Sequence, residues 1–414
     1  MSVAERTRAL LAQALDTYQD SPRAVGWLQR HVDRFGEPLR LAVVGPPGAG
    51  KSTMVRALAG DAVAAEHEGM AWFPASPHEP TLLDTPAIEA GAAPQTVENI
   101  CMEADAVLYL VRHPHNADLS FLHTLQDHPI ARAAAVNSII VLSRADELAG
   151  GRPDALISAR QVARRYRREP GVHGLCQDVV PVSGLLASAA RTLRDAEFDA
   201  LARLAAVPRA ELEPQLLSAD RFLAPDTALR GRLLERFGMF GVRVAVTLIR
   251  RGSASLPALA EQLVRRSGLA DLRESVEKNF TGWQAVLKAR SALLGLEVVL
   301  RMEPRPAAAP LAENLERTLA GAHEFRELRV LAALRAGRTR LSPELTAEAE
   351  RLVGGHGREL PERLGAPEEN LRQAIFETMR RWRECAENPK LGKRERHAAA
   401  VVVRTCEAMA TGAR

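Results

Sequence analysis

From Leu39 onward two kinds of hydrophobic pattern alternate along the chain. Short apolar runs occur at "LRLAVVG", "TLLDT" (81–85), "AVLYLV" (106–111), "SIIVLS" (138–143) and "DVVPVS" (178–183). Between most of them lie stretches of helical periodicity, at 95–103, 117–126 and 154–168. Strands that are apolar on both faces and separated by helices predict a mostly parallel sheet covered on both sides, an α/β architecture. After Ser183 the strand pattern stops. Helical periodicity then fills 185–204, 208–218, 228–250, 256–268, 270–301, 309–336, 343–354, 367–385 and 394–410, with Gly or Pro at the breaks. Ahead of the first strand, residues 4–19 and 22–35 read as two amphipathic helices parted by "DSP", with Ser21 as N-cap and Pro22 at the first helical position. The chain therefore divides into N-terminal helices (1–38), an α/β domain (39–204) and a helical region (205–414), of which 205–268 are auxiliary helices and 269–414 a bundle or stalk.

Composition adds limits. At 46% hydrophobic and 4% aromatic residues, the core must be mostly Ala, Leu and Val, which favours helices. No apolar run approaches the roughly 20 residues of a spanning helix, so membrane contact is expected to be peripheral. The N-terminus carries charges through its apolar positions, unlike a signal peptide. Cys101, Cys176, Cys385 and Cys406 are scattered without metal-ligand spacing and read as free thiols of a cytoplasmic protein. The net charge of +4 is a mild basic bias, and no nucleic-acid partner is expected.

The chemistry begins at the end of the first strand. Gly45-Pro46-Pro47-Gly48-Ala49-Gly50-Lys51-Ser52, followed by Thr53, fits GxxxxGK[ST] and sits between a buried strand and a helix. In such a P-loop the glycines let backbone N–H groups converge on phosphate oxygens. Lys51 neutralises the terminal phosphates, and Ser52 holds Mg²⁺. Asp84-Thr85-Pro86-Ala87 follows a second strand, where Asp84 is placed to reach Mg²⁺ through water. Ser143-Arg144-Ala145-Asp146 ends a third strand: the Asp146 carboxylate matches the donor pair on the guanine edge, which adenine lacks, and Arg144 is suited to stacking along the base. Ser183-Gly184 ends a further strand, where a backbone N–H meets the guanine carbonyl. These elements lie in order at strand C-terminal ends, where ligands gather in α/β sheets. They predict GTP or GDP with Mg²⁺, Lys51 and Ser52 carrying any catalysis and Ser52 and Asp84 the metal. His113, His115 and His123 lack partners for a further metal site.

"SRADELAGGRPDALISARQVARRYRREPG", "VVPVSGLLA", "RTLRDAEF", "LLERFGMFGVR" and "LVRRSGLADLR" resemble the bacterial dynamin-like proteins of the mycobacterial isoniazid-inducible group, most closely its C-type member. The resemblance implies a P-loop GTPase domain on a large α-helical bundle, nucleotide-driven pairing with itself or with another dynamin-like GTPase, and action on an anionic membrane from its cytoplasmic face. Lys51, Ser52, Asp84, Arg144 and Asp146 match the family's functional positions. Two departures bear on turnover. The family's DTPG reads DTPA here. The segment before it, which holds switch I in the family, is short, so the sheet is expected to be reduced. Its only threonine, Thr81, falls inside the strand. Two readings follow, a GTPase and a non-hydrolysing pseudo-GTPase partner.

Three segments are candidates for a membrane or partner surface. "RFGMFGVRVAVTLIRRGSASLP" (236–257) suits either an anionic headgroup region or packing against the rest of the protein. "VLRMEPRPAAAP" (299–310) is a second candidate tip, and "NPKLGKRERH" (388–397) is a basic cluster.

Overall fold

The computed structural model describes residues 1–412 apart from 61, 68–69, 75–78, 89–93, 114–118, 128–136, 149–150, 153, 173 and 358. Helices α1 (Val3–Thr17) and α2 (Pro22–Asp33) precede the sheet. Ser2 caps α1 in a capping box with Glu5, and Ser21 caps α2 with Pro22 in its first turn. The α/β part then runs β1 (Arg40–Val44), α3 (Lys51–Ala59), β2 (Ala65–His67), β3 (Met70–Phe73), β4 (Thr81–Asp84), α4 (Pro94–Glu103), β5 (Ala106–Val111), α5 (Ser120–Asp127), β6 (Ser138–Ser143), α6 (Ala155–Arg168) and β7 (Asp178–Val182).

The strands form a seven-stranded sheet in the order β2-β3-β4-β1-β5-β6-β7. From β4 to β7 every pairing is parallel, while β2 and β3 join antiparallel at one edge. Side chains alternate between two cores, as a strand period of two requires. Ala42, Val44, Leu83, Val107, Tyr109, Ile140 and Leu142 point into one, with Leu122 and Tyr166. Leu41, Val43, Leu82, Leu108, Leu110, Ile139 and Val141 point into the other, with Met54, Leu272 and Phe280.

The segment before β4 supplies the β2–β3 hairpin, which has no strand signature in sequence. Its strands are three and four residues long, and "AEH" has no apolar alternation. β3 is held by backbone pairing to β4, with Trp72 opposite Leu83, and by the Arg40 guanidinium 4.9 Å from the Trp72 ring centroid.

Beyond β7 the chain is helical: α7 (Gly184–Arg191), α8 (Asp195–Ala206), α9 (Arg209–Gln215), α10 (Ala219–Leu223), α11 (Thr227–Arg250), α12 (Leu256–Ser267), α13 (Leu269–Asn279), α14 (Gln284–Met302), α15 (Ala309–Gly321), α16 (His323–Arg335), α17 (Pro343–Leu352), α18 (Leu360–Leu364), α19 (Leu371–Glu387) and α20 (Lys393–Gly412). Four stretches expected as single helices are interrupted, the 228–250 stretch by a kink at Gly238 (φ 64°, ψ 171°) inside α11. The 185–204 stretch parts before Arg194, whose N–H is accepted by Glu197 to start α8. The 270–301 stretch parts at a 3₁₀ turn over Thr281–Trp283, and 309–336 parts at Ala322. Periodicity continues across such breaks because both pieces bury the same side.

The helical part of 236–257, up to Arg250, packs inward, while Arg251, Gly252, Ala254, Ser255 and Pro257 beyond it are exposed. Phe237 and Phe240 are buried beside Leu186 and Ala189. Arg243 donates to the carbonyls of Gly151, Leu216 and Leu217, and Arg250 to those of Ala205 and Val207. Guanidinium groups so engaged are not available to lipid.

α1 and α2 share a core with the C-terminal helices: Leu11 and Leu28 pack with Leu293, Phe325, Trp382 and Val402. A polar joint fastens this assembly to the N-terminal ends of the strands. Arg34, just after α2, pairs with Asp105 at 2.6 Å, and both side chains are almost wholly buried. Asp105 also accepts from the backbone N–H of Arg40 at 3.0 Å, and its carbonyl accepts from Asn137 at 3.0 Å. Lys288 of α14 donates to the Glu37 carbonyl, and Ser291 to that of Ala104. Removing one partner of a buried pair leaves an uncompensated charge. We expect Asp105→Ala to lower unfolding free energy by about 3–5 kcal/mol in urea denaturation, with little change from exposed substitutions such as Arg396→Ala.

Candidate functional site

Gly45 follows β1, and a Cβ there would lie 2.5 Å from the Leu110 carbonyl oxygen on β5. Only glycine lets the chain pass. Gly48 (φ 71°) and Gly50 (φ 87°) take left-handed conformations that turn the loop back toward α3. Gly50 is the N-cap of α3, and no side chain caps that end. The first-turn N–H groups are thus left for an outside acceptor, with the positive end of the helix dipole behind them. Ser52 and Gly48 are exposed and Ala49 is buried beneath the loop.

Lys51 Nζ donates to the Gly45 carbonyl at 3.2 Å. Burial lowers its pKa, and the charge of Asp84 partly opposes the shift. Asp84 closes β4, the parallel neighbour of β1, in register with Val43. Its Oδ1 is buried without a hydrogen-bond partner. Beyond it, Thr85 Oγ1 donates to the Val43 carbonyl at 2.9 Å and the Ile88 N–H to the Gly45 carbonyl at 3.1 Å. Pro86 and Ala87 between them are exposed.

At the end of β6, Ser143 Oγ is also buried without a partner. Arg144 has φ 51°, the only left-handed residue other than glycine among the described residues. Such a conformation costs about 1–3 kcal/mol and clusters at functional sites. Its guanidinium donates to the Gly48 carbonyl at 3.2 Å and pairs with Glu147 at 2.9 Å. The side chain read as a base-stacking group therefore bridges to the P-loop. Asp146 is half-buried, and burial raises its pKa, opposed by a hydrogen bond from the Ser183 hydroxyl. Ser183 in turn caps α7, accepting from Leu186 N–H at 3.4 Å. Gly184 begins α7 against α3: a Cβ there would lie 3.6 Å from Thr53 and from Met54.

The structure therefore joins the predicted residues through contacts of their own: Lys51 with Asp84, Arg144 with Gly48, Asp146 with Ser183, Gly184 with Thr53. The anchoring roles of Thr85 and Ile88 carry no separate sequence signal and follow from register. Asp84 Oδ1, without a hydrogen-bond partner among the described residues, and the exposed Ser52 hydroxyl are oxygen donors of the kind that suits Mg²⁺. Among the described residues no group of three or more His, Cys, Asp or Glu is arranged for another metal; His115 lies outside them.

No family model matches the chain. It is 34% identical over 485 aligned positions to the isoniazid-induced protein IniC of Mycobacterium tuberculosis, covering 99% of this chain and 98% of the relative, in each of two strains. The chain belongs to the IniC family of isoniazid-induced proteins. The alignment is longer than the 414 residues of this chain, so the M. tuberculosis IniC carries segments absent here. Three solved structures show distant likeness to this IniC-family chain. A GTP-binding protein of Sulfolobus solfataricus in complex with GDP is 16% identical, covering 47% of this chain and 65% of its own, at TM-score 0.25. An NFeoB mutant of S. thermophilus bound to GDP is 14% identical, covering 63% and 98%, also at 0.25. The bacterial dynamin GTPase LeoA from ETEC is 11% identical, covering 97% and 71%, at 0.28. At these scores the likenesses carry no argument.

A carboxyl whose folded-state pKa is raised opposes folding once ionised. The folded chain binds more protons than the unfolded chain between the ordinary value of 3.8 and the raised one, so this contribution to stability falls as pH rises through that window. Asp146→Asn should therefore raise the melting temperature of the nucleotide-free protein at pH 7. The gain should vanish as the pH falls to the ordinary carboxylate range in a fluorimetric pH series.

Proposed function

We propose that this IniC-family protein binds guanine nucleotide with Mg²⁺ and works as a dynamin-like GTPase. The observation that carries the reading is the Ser143–Asp146 loop, tied by Arg144 to the Gly48 carbonyl of a strand–loop–helix turn whose amides are uncapped. On this reading the α3 N-terminus and Lys51 grip the polyphosphate, Ser52 and Asp84 hold the metal, and the ionised Asp146 accepts from the guanine edge. Mg²⁺ would supply Lewis-acid stabilisation of charge on the phosphates. Residues 39–204 would form the nucleotide domain, with 1–38 and 269–414 as the stalk.

A second reading is a non-hydrolysing partner that pairs with a copy of itself or with another dynamin-like GTPase. Two features favour it. Thr81, the sole threonine between Gly60 and Leu82, lies in β4 in register with Arg40 and so cannot close a loop over the phosphates. The loop after Asp84 is tied to β1 and the P-loop through Thr85 and Ile88.

We also place peripheral contact with an anionic membrane at the turn between α19 and α20. Lys390, Lys393, Arg394 and Arg396 are exposed there, and none forms an ion pair among the described residues. Basic residues beside anionic lipid contribute about 1 kcal/mol each. No helix among the described residues is long and apolar enough to cross a membrane.

Calorimetry should show GDP–Mg²⁺ binding tighter than ADP–Mg²⁺, and Asp146→Ala should weaken GDP by about ten-fold or more; equal affinities in the wild type refute guanine selection. Phosphate release from GTP, with and without anionic vesicles, separates the two readings. Release that Lys51→Ala abolishes supports the GTPase, and GDP binding without release supports the partner. Reversing the four basic residues at the α19–α20 turn to Glu should abolish sedimentation with vesicles containing phosphatidylglycerol.

A further inference from the structure

Away from the P-loop, a cavity of about 460 Å³ lies where α6 and β7 meet α13, α16 and the end of α17. Its size falls within the roughly 300–1,000 Å³ usual for small-molecule sites. Its wall is polar: Gln177, Ser275 and Asn279 line it, and each is at least nine-tenths buried. Four carboxylates face it; three pair with Arg or Lys, and Glu350 lies near a histidine. Asp271 pairs with Arg160 at 2.9 Å, Asp178 with Arg167 at 2.6 Å and Glu274 with Lys278 at 2.5 Å; Glu350 has His356 at 3.8 Å.

Two lining cations form no ion pair with a carboxylate among the described residues, although the charges of Glu350 and Asp178 reach Arg335. Arg335 donates to the Lys278 carbonyl (3.2 Å), Asn279 Oδ1 (2.9 Å) and the Gly355 carbonyl (2.9 Å), all uncharged acceptors. This leaves its Nε–H and one Nη2–H without an acceptor. Arg164, exposed on α6, has no hydrogen-bond or ion-pair partner among the described residues. Arg335 is fixed in place by a directed chain. It donates to Asn279 Oδ1, Asn279 Nδ2 donates to Ser275 Oγ at 3.1 Å, and Ser275 donates to Asp178 Oδ2 at 2.7 Å. Arg167 neutralises Asp178 from the other side. A guanidinium held by neutral groups with donors to spare is arranged for an anion from outside.

We propose that this cavity is a second ligand site, for a phosphate monoester of sugar or mononucleotide size. Arg335 and Arg164 both keep guanidinium donors free of any ion pair among the described residues, and a phosphate monoester offers several charged acceptor oxygens on one centre. The polar wall suits a hydroxylated body.

The test uses the full chain saturated with GDP and Mg²⁺, and in parallel the Lys51→Ala variant, so that P-loop binding is kept apart. Glucose 6-phosphate is titrated calorimetrically, with glucose and citrate as controls. The expected result is saturable binding of glucose 6-phosphate that Lys51→Ala leaves unchanged. Arg335→Gln should weaken it by about ten-fold or more and Arg164→Glu by several-fold. Glucose should not bind. Arg164→Glu alters an exposed side chain and keeps the test valid if Arg335→Gln fails to fold. Affinity weaker than about 10 mM, binding lost with Lys51→Ala, binding indifferent to Arg164→Glu, or citrate bound as tightly as glucose 6-phosphate would each overturn the proposal.

Discussion

The geometry of the candidate site depends on a close approach of two backbones. β1 leaves the sheet at Gly45 so near the Leu110 carbonyl that any side chain would collide with it. The same Gly45 carbonyl accepts from Lys51 and from Ile88, so one peptide group positions the P-loop lysine and the loop after Asp84 together. The parallel pairing of β4, β1, β5, β6 and β7 then puts Asp84, Ser143 and Ser183 at the same end of the sheet.

The opposite end of the sheet is organised by charge. Asp105 opens β5 and accepts from Arg34 beyond α2 and from the backbone of β1. Lys288 and Ser291 tie α14 to carbonyls of the same region. α14 also contributes Leu293 and Leu296 to the core that holds α1 and α2. A single helix thus touches the base of the sheet and the helical assembly, and the buried Arg34–Asp105 pair fixes their register. Pairs of this kind add little net stability over an apolar contact, but breaking one is costly. That asymmetry suits a joint that must have one arrangement.

What sequence could show followed from how local the cause was. Five parallel strands are legible because their buried positions make continuous apolar runs, as in "AVLYLV" and "SIIVLS". The P-loop and Ser143–Asp146 are legible because their chemistry needs particular residues at strand ends. The β2–β3 hairpin was not, because it is held by backbone pairing to β4 and by Arg40 across the sheet. Nor was the fate of residues 236–257: a basic, apolar helix looks the same whether its arginines meet lipid or carbonyl oxygens, and the carbonyls that engage Arg243 lie 26 to 92 residues away. The expected stacking role of Arg144 missed the contact with Gly48 for the same reason.

The site also works against its own stability. Arg144 sits in a strained backbone conformation, Asp146 lies where burial disfavours its ionised form, and Asp84 and Ser143 each bury an oxygen without a hydrogen-bond partner among the described residues. None of these improves packing, and each is an unmet demand for a donor, a cation or a base edge. The loop after Asp84 shows the opposite tendency, since Thr85 and Ile88 anchor it on both sides of the exposed Pro86-Ala87 pair. A backbone flip at Ala87 has less conformational room than at glycine and must work against both anchors. Under the proposed function, an unmet demand for ligand beside a restrained loop after Asp84 favours binding over switching, which is the pattern of the non-hydrolysing partner.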